Sequence, residues 1–298
     1  MPTYGAIEAG GTKFNCLVGS GPHDIRAEVR IPTTTPAETL AKVIQFYRDE
    51  SRAAPLAAIG IGSFGPLDLS PESPTYGYIT STVKPGWAMT NFVGAMQSAL
   101  GVPVALDTDV NAAAYGEYLW GSAAGLDQFI YMTIGTGIGA GGMTGGHLMH
   151  GLLHPESGHM RLPHDIAADP FPGVCTFHGD CFEGLASGPA MQARWRTPAE
   201  ELPVGSPAWA LEAQYIALAV CNLIYILSPE RVILGGGVMQ QAGLFDLIRR
   251  DVLAILNGYI QSDEILHHVE RYIVEPGLGI RAGVLGALAL ASTVAPEK

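Results

Sequence analysis

Positive charge is scarce in this chain of 298 residues: Lys and Arg total 16 against 28 Asp and Glu, a net charge of −12. A protein that lives on nucleic-acid phosphates carries a basic patch, so the balance argues against nucleic-acid binding. The acid excess serves solubility instead. Charge of either sign is sparse, at 15% against 48% hydrophobic residues, which excludes a disordered chain. Cysteine is rare too: Cys16, Cys175, Cys181 and Cys221 do not form the spacing of a secreted disulfide framework. Cys16 and Cys221 fall in apolar strand and helix patterns and are expected as core thiols. We find no apolar run of the ~18–20 residues that a membrane span needs. The N-terminus enters a strand pattern with no basic n-region or signal core. A cytoplasmic protein without membrane or nucleic-acid partners is therefore expected, and the length suits two domains.

Glycine, in contrast, punctuates the whole chain. Residues 6–18 read as strand, tight turn and strand around Gly10-Gly11-Thr12-Lys13, and residues 129–142 repeat the pattern around Gly135-Thr136-Gly137. Each hairpin opens a run of alternating strands and helices, which predicts two related α/β halves. Helices are expected over 36–50, 91–100, 112–119, 207–227 and 282–295, and strands over 58–62, 102–106 and 231–234. A long loop is expected over 67–88. Gly235-Gly236-Gly237 follows the last of these strands. Successive backbone N–H groups in a glycine turn can surround phosphate oxygens, because no side chain blocks the approach. Thr12 and Thr136 add hydroxyls, and Lys13 adds a charge. Any one such turn is equally well an ordinary hairpin; three after apolar strands point to a nucleotide. None is a Walker loop or a dinucleotide fingerprint.

Asp107-Thr108-Asp109-Val110-Asn111 lies at the carboxyl end of a strand and before a helix, a usual place for chemistry in an α/β domain. Phosphoryl transfer to an alcohol needs a carboxylate that orients the hydroxyl and takes its proton. Asp109 fits that role, with Asn111 holding the same substrate; an N-cap on the following helix is the competing role for Asp109.

Residues 143–188 are rich in His, Gly and Pro and too long for a passive connector. Cys175-x-x-His178-x-x-Cys181 has ligand-like spacing. A fourth donor would close a tetrahedral zinc site, and His159 is preferred over His154 and His164. Glu156 and Glu183 stand beside these donors, where a bound metal would fix them as acceptors for sugar hydroxyls.

Together, Glu8–Lys13, Gly62–Pro66, Thr108–Ala113, Gly135–Gly139, Glu156–His159 and Gly235–Val238 resemble, in order and spacing, the ROK family (repressors, open reading frames, kinases) of sugar kinases. The resemblance covers nearly the whole chain. It implies an α/β, two-domain actin-like (ribonuclease H-like) ATPase fold, with a cleft between domains and a zinc-binding insert. The implied division is a domain over 1–116 joined by the C-terminal helix 280–298, and a second domain over 117–279 with the insert at 147–188. The resemblance makes Asp109 the base. It makes Ser63, Gly65, Asn111, Glu156, His159 and Glu183 sugar contacts, and Gly10, Gly11, Thr12, Lys13, Thr136 and Gly137 phosphate contacts. Gly188, Pro189, Gly235, Gly236, Gly237, Val238 and Met239 would flank the adenosine. His159, Cys175, His178 and Cys181 would hold a structural Zn²⁺, Mg²⁺ would accompany ATP, and the chain would pair as a homodimer.

Two departures matter. Glu8 stands where many family members have Asp, and Cys-x-x-His-x-x-Cys replaces a Cys-x-Cys-x4-Cys cluster. The second is similar to the fructokinase branch, as are Ser63–Pro66 and Asp180–Pro189. Fructose is thus the expected substrate, with mannose, glucose or N-acetylmannosamine as alternatives. The family also includes sugar-responsive repressors with an added N-terminal helix-turn-helix, for which a first phosphate turn at residue 10 leaves no room.

Overall fold

The computed structural model describes residues 2–296. Met1, Glu297 and Lys298, the outer ends of the expected N-terminal domain and closing helix, lie outside the described residues. The chain divides into two compact units. One comprises Met1–Gly125, Leu148–Pro155 and Gly277–Lys298; the other comprises Leu126–His147 and Glu156–Pro276.

The first unit opens with β1 (Thr3–Ala9), β2 (Lys13–Gly21) and β3 (Asp24–Pro32), then α1 (Pro36–Ser51) and β4 (Leu56–Ser63). Strand β5 (Tyr78–Ile79) interrupts the expected loop and pairs with β6 (Thr90–Asn91), just beyond it. Then come α2 (Phe92–Leu100), β7 (Val104–Thr108), α3 (Asp109–Trp120) and, at the end of the chain, the C-terminal helix (Ala282–Ala291). The sheet order is β3-β2-β1-β4-β7. β1–β2 and β2–β3 are antiparallel, and β1–β4 and β4–β7 are parallel.

Alternation along the strands sends side chains to both faces. Ile7, Ala9, Phe14 and Cys16 pack with Tyr47 of α1 and Phe92 of α2. Ala6 and Leu17 point the other way, onto Leu285 and Leu288 of the C-terminal helix. That helix, α3 and β4 approach backbone to backbone. A Cβ on Gly60 would overlap the Ala287 carbonyl, and one on Gly286 would overlap that of Ala112. A Cβ on Gly62 would stand 2.6 Å from that of Ala112. Glycine at these positions sets where α3 begins relative to the sheet. Glu117, fully buried, then closes α3: its carboxylate accepts from Ser122 N (2.6 Å), Gly277 N (2.8 Å) and Leu278 N (2.9 Å).

The second unit contains β8 (Phe129–Ile134), β9 (Ile138–Thr144) and the start of β10 (His147–Leu148), whose last residue belongs to the first unit, then α4 (Phe182–Ala186), α5 (Gly188–Trp195) and α6 (Pro207–Leu227). β11 (Arg231–Gly235), α7 (Leu244–Leu256), α8 (Asp263–Leu266), α9 (Val269–Tyr272) and β12 (Ile273–Val274) complete it. The sheet order is β10-β9-β8-β11-β12, with β8–β9 antiparallel and β8–β11 and β11–β12 parallel. An antiparallel glycine hairpin followed by two parallel strands is therefore the plan of both sheets.

Helix α6 corrects one expectation. Its 21 residues are long and apolar enough, taken alone, to cross a membrane. Burial accounts for that composition: Trp209, Ile216, Val220 and Ile224 are buried, the helix packs on α4 and α7, and it carries an ionisable residue, Glu212, in its buried face.

Candidate active site and metal centre

The strand that was expected to end at residue 106 continues to Thr108, because Asp107 and Thr108 still pair with Gly62 and Ser63 of β4. The following helix starts at Asp109, three residues earlier than its apolar pattern suggests. Thr108 is its N-cap: the hydroxyl oxygen accepts from Asn111 N at 3.1 Å. Asp109 is thereby released from the capping role that competed for it. Its Oδ1 accepts from Val110 N at 2.9 Å. Burial, reinforced by the negative charge of Glu8, pushes the Asp109 carboxyl up to about 7 against the opposing pull of backbone N–H groups and His154. A carboxylate in that range accepts a proton near neutral pH far better than an ordinary one.

Glu8 itself is raised by burial, opposed by the hydrogen bond from Asn15 Nδ2 (2.7 Å) and by Lys13 and Arg30. Its carboxyl fills the space where Gly283 has no side chain. Beyond it the first glycine turn closes through Gly10 N to Lys13 O (3.0 Å), and Thr33 Oγ1 donates to Gly10 O (2.7 Å). Gly11, Thr12 and Lys13 are exposed in that turn. Ser63 is fully buried and donates its hydroxyl to Phe64 O (2.9 Å).

Residues 148–155 belong to this same unit and add three polar groups to the α3 end. His154 Nε2 lies 3.0 Å from where a Cβ on Gly65 would stand. Asn111 Nδ2 donates to Met149 O (3.1 Å) and to Asp107 Oδ1 (3.0 Å). His150 Nε2 meets Asp107 Oδ2 at 2.9 Å. Asp107, His150 and His154 were not among the expected catalytic or sugar residues. Their signal was a cluster of histidines in a Gly-rich stretch, and nothing local shows that the stretch folds back onto β7.

In the second unit the remaining glycine segments converge. Gly135 N bonds Gly137 O (2.9 Å), Gly188 N bonds Gly135 O (2.7 Å), and a Cβ on Gly135 would stand 3.7 Å from Gly237 N. Gly236 has φ +96° and lies against the Ile134 carbonyl, a position closed to any side chain. Thr136, Pro189 and Gly237 are exposed around this point, while Val238 and Met239 are buried behind it. Glu183, in the first turn of α4, accepts from Ile138 N (2.9 Å) and so bonds to the second hairpin.

The four expected metal donors come together. The ligand atoms of His159, Cys175, His178 and Cys181 all lie within 4.8 Å of one another. His159 Nδ1 is 3.5 Å from Cys181 Sγ and 3.8 Å from Cys175 Sγ; His178 Nδ1 is 3.6 Å from Cys175 Sγ. A tetrahedral metal bonded at about 2.3 Å to sulfur and about 2.0–2.1 Å to nitrogen sets such edges near 3.6 Å. The donor set thus fits zinc, and two thiols with two imidazoles leave no open position. The rivals have other partners: His164 faces Asp180 (3.3 Å) and the Asp169 carbonyl (2.9 Å), and His154 lies in the other unit. His159 reaches the cluster because Gly158 lies flush on β9, where a Cβ would overlap the Ile138 carbonyl. Glu156, at the start of the same turn, is exposed.

Residues 4–294 match the ROK family. The chain is 45% identical to a fructokinase of Pediococcus pentosaceus, over 96% of each chain. It is 43% identical to a fructokinase of Zymomonas mobilis, over 97% of this chain and 96% of that one. A ROK family glucokinase from Streptomyces griseus, solved in complex with glucose and AMPPNP, shares the fold with a TM-score of 0.77 at 24% identity, over 98% of this chain and 99% of that one.

Proposed function

The chain belongs to the ROK family, and on that premise we propose that it is an ATP-dependent fructokinase with Asp109 as general base. The reaction moves the γ-phosphoryl group of ATP to the 6-hydroxyl of D-fructose, giving D-fructose 6-phosphate and ADP. The observation that carries the chemistry is the Asp109 carboxyl, held near 7 on the first turn of α3. It orients the sugar hydroxyl and takes its proton as the new O–P bond forms and the bond to the β-phosphate oxygen breaks. Likeness to fructokinases over nearly the whole chain supports the choice of sugar.

In the first unit, Gly10, Gly11, Thr12 and Lys13 are assigned to phosphate contacts, and Ser63, Gly65 and Asn111 to the sugar. Ser63, buried and bonded to Phe64 O, acts by shaping the Gly65 backbone. In the second unit, Thr136 and Gly137 are assigned to phosphate, and Gly188, Pro189 and Gly235–Met239 to adenosine. Glu156, His159 and Glu183 are assigned to the sugar. Mg²⁺ enters with ATP as part of the substrate and neutralises phosphate charge. Zn²⁺, held by His159, Cys175, His178 and Cys181, has a structural role, supported by the closed donor set. A homodimer in the cytoplasm completes the reading, on the strength of the family resemblance.

The test is ADP release by one preparation across a panel of fructose, mannose, glucose and N-acetylmannosamine, with and without Mg²⁺. Fructose should give the highest kcat/KM; a preference for another hexose overturns the choice of sugar.

A further inference from the structure

The proton count around Asp107 assigns a role to His150. Asp107 is 4% exposed at the end of β7, two residues before the proposed base. Its Oδ1 accepts from Thr108 N (2.7 Å) and from Asn111 Nδ2 (3.0 Å). Its Oδ2 faces His150 Nε2 at 2.9 Å. Asn111 Nδ2 also lies 3.3 Å from His150 Nε2, but its two hydrogens already go to Asp107 Oδ1 and Met149 O. The hydrogen between His150 and Asp107 therefore sits on Nε2, and the carboxylate fixes both the tautomer and the ring. The two carboxylate oxygens of Asp107 thus join three pieces: the end of β7, the buried amide of Asn111 in the first turn of α3, and the segment 148–155. That segment also places His154 beside Gly65, close enough to bear on the charge of Asp109.

We propose that His150 and Asp107 form a clasp that positions Asn111 and the 148–155 segment for sugar binding, with His150 as a positioning residue. This rests on the assignment of Asn111 to the sugar. His150 is half-exposed at its side chain, so its substitution leaves the core untouched.

The test compares His150→Phe, which keeps a ring but no donor, with His150→Gln, which can still donate to Asp107. Each is assayed for KM of fructose, KM of ATP and kcat, and for the rise in melting temperature caused by fructose alone. His150→Phe should raise the KM of fructose about tenfold or more, as expected for a charge-assisted hydrogen bond of about 1.5–3 kcal/mol, and should abolish most of the fructose-induced shift. The KM of ATP should stay within about twofold, and His150→Gln should restore most of the loss. An unchanged KM for fructose in His150→Phe overturns the clasp, as does an equal rise in both KM values, or a Gln variant no better than Phe. Should the wild-type chain prefer another hexose, the fructose reading falls while the clasp is judged on that hexose. A wild-type chain neither stabilised by nor active on any sugar of the panel overturns both.

Discussion

The α3 end of the first unit and the Cys/His ribbon of the second are each polar, each proposed to meet substrate, and built in opposite ways. Asp109, Asp107 and Asn111 stand on a strand end and a helix start, backed by Ile61, Leu106 and the rest of a continuous apolar core. The ribbon has almost no core of its own: Ile166, Val174 and Phe177 are exposed, and Leu162 is one of its few buried apolar side chains. Polar groups take the place of a core there: the four clustered Cys and His side chains proposed to hold zinc, and ion pairs, Asp180 with Arg161 (2.6 Å) and buried Asp169 with Arg194 (3.2 Å). Tyr215 Oη adds a hydrogen bond to Asp169 (2.6 Å). Where packing fixes the backbone, a carboxyl can be held shielded from water beside few compensating partners; where packing is sparse, ion pairs and the proposed metal take its place.

The contrast can be broken from the α3 side first. Asp109→Asn should lower kcat by about 10²–10⁴-fold, the usual worth of a general base. It should not unfold the chain. Because burial raises the Asp109 carboxyl, ionising it costs the folded state as pH rises from about 4 toward 7; the neutral amide should therefore be more stable above pH 7 by about 1–3 kcal/mol. Denaturant melts at pH 5 and pH 8 would show this, and equal loss of activity and stability would contradict it. The ribbon should behave in the reverse sense. Chelation or Cys175→Ser should remove about one zinc per chain and cost several kcal/mol, given that structural zinc contributes about 10–16 kcal/mol in small peptides. Proteolysis confined to 161–180 would register it; an unchanged cleavage pattern would contradict the metal's structural role.

Glu117 sharpens the comparison, being a buried carboxylate that serves only structure. Glu117→Ala removes the shared acceptor of three backbone N–H groups and should cost about 3–5 kcal/mol by denaturant melts, with kcat affected little in the folded fraction. Gly158→Ala should have the smallest effect, about 1–3 kcal/mol from displacing the turn off Ile138. It should also weaken zinc binding by moving His159, and metal content after dialysis reports it.

Much of this was legible locally. The glycine hairpins, the strands and the four candidate metal donors are spelled out by residues close in the chain, and the ligand atoms of those four lie within 4.8 Å of one another. What was not legible depends on contacts distant in sequence. That Thr108 rather than Asp109 caps α3 is decided by where β7 stops pairing with β4, beyond the end of the apolar pattern. Asp107 and His150 meet across 43 positions, and Glu117 reaches Gly277 and Leu278 across 160 and 161. That α6 is long and apolar enough to cross a membrane went unread in the sequence, and its packing on α4 and α7 accounts for that composition.

The central claim is that a carboxyl raised by burial acts as the base, and the pH dependence of kcat/KM for fructose tests it most directly. Only ionised Asp109 can accept the proton, so kcat/KM should climb about tenfold per pH unit below 7 and level off above it. A profile flat from pH 5 to pH 8, or one that breaks near 4, would contradict the account.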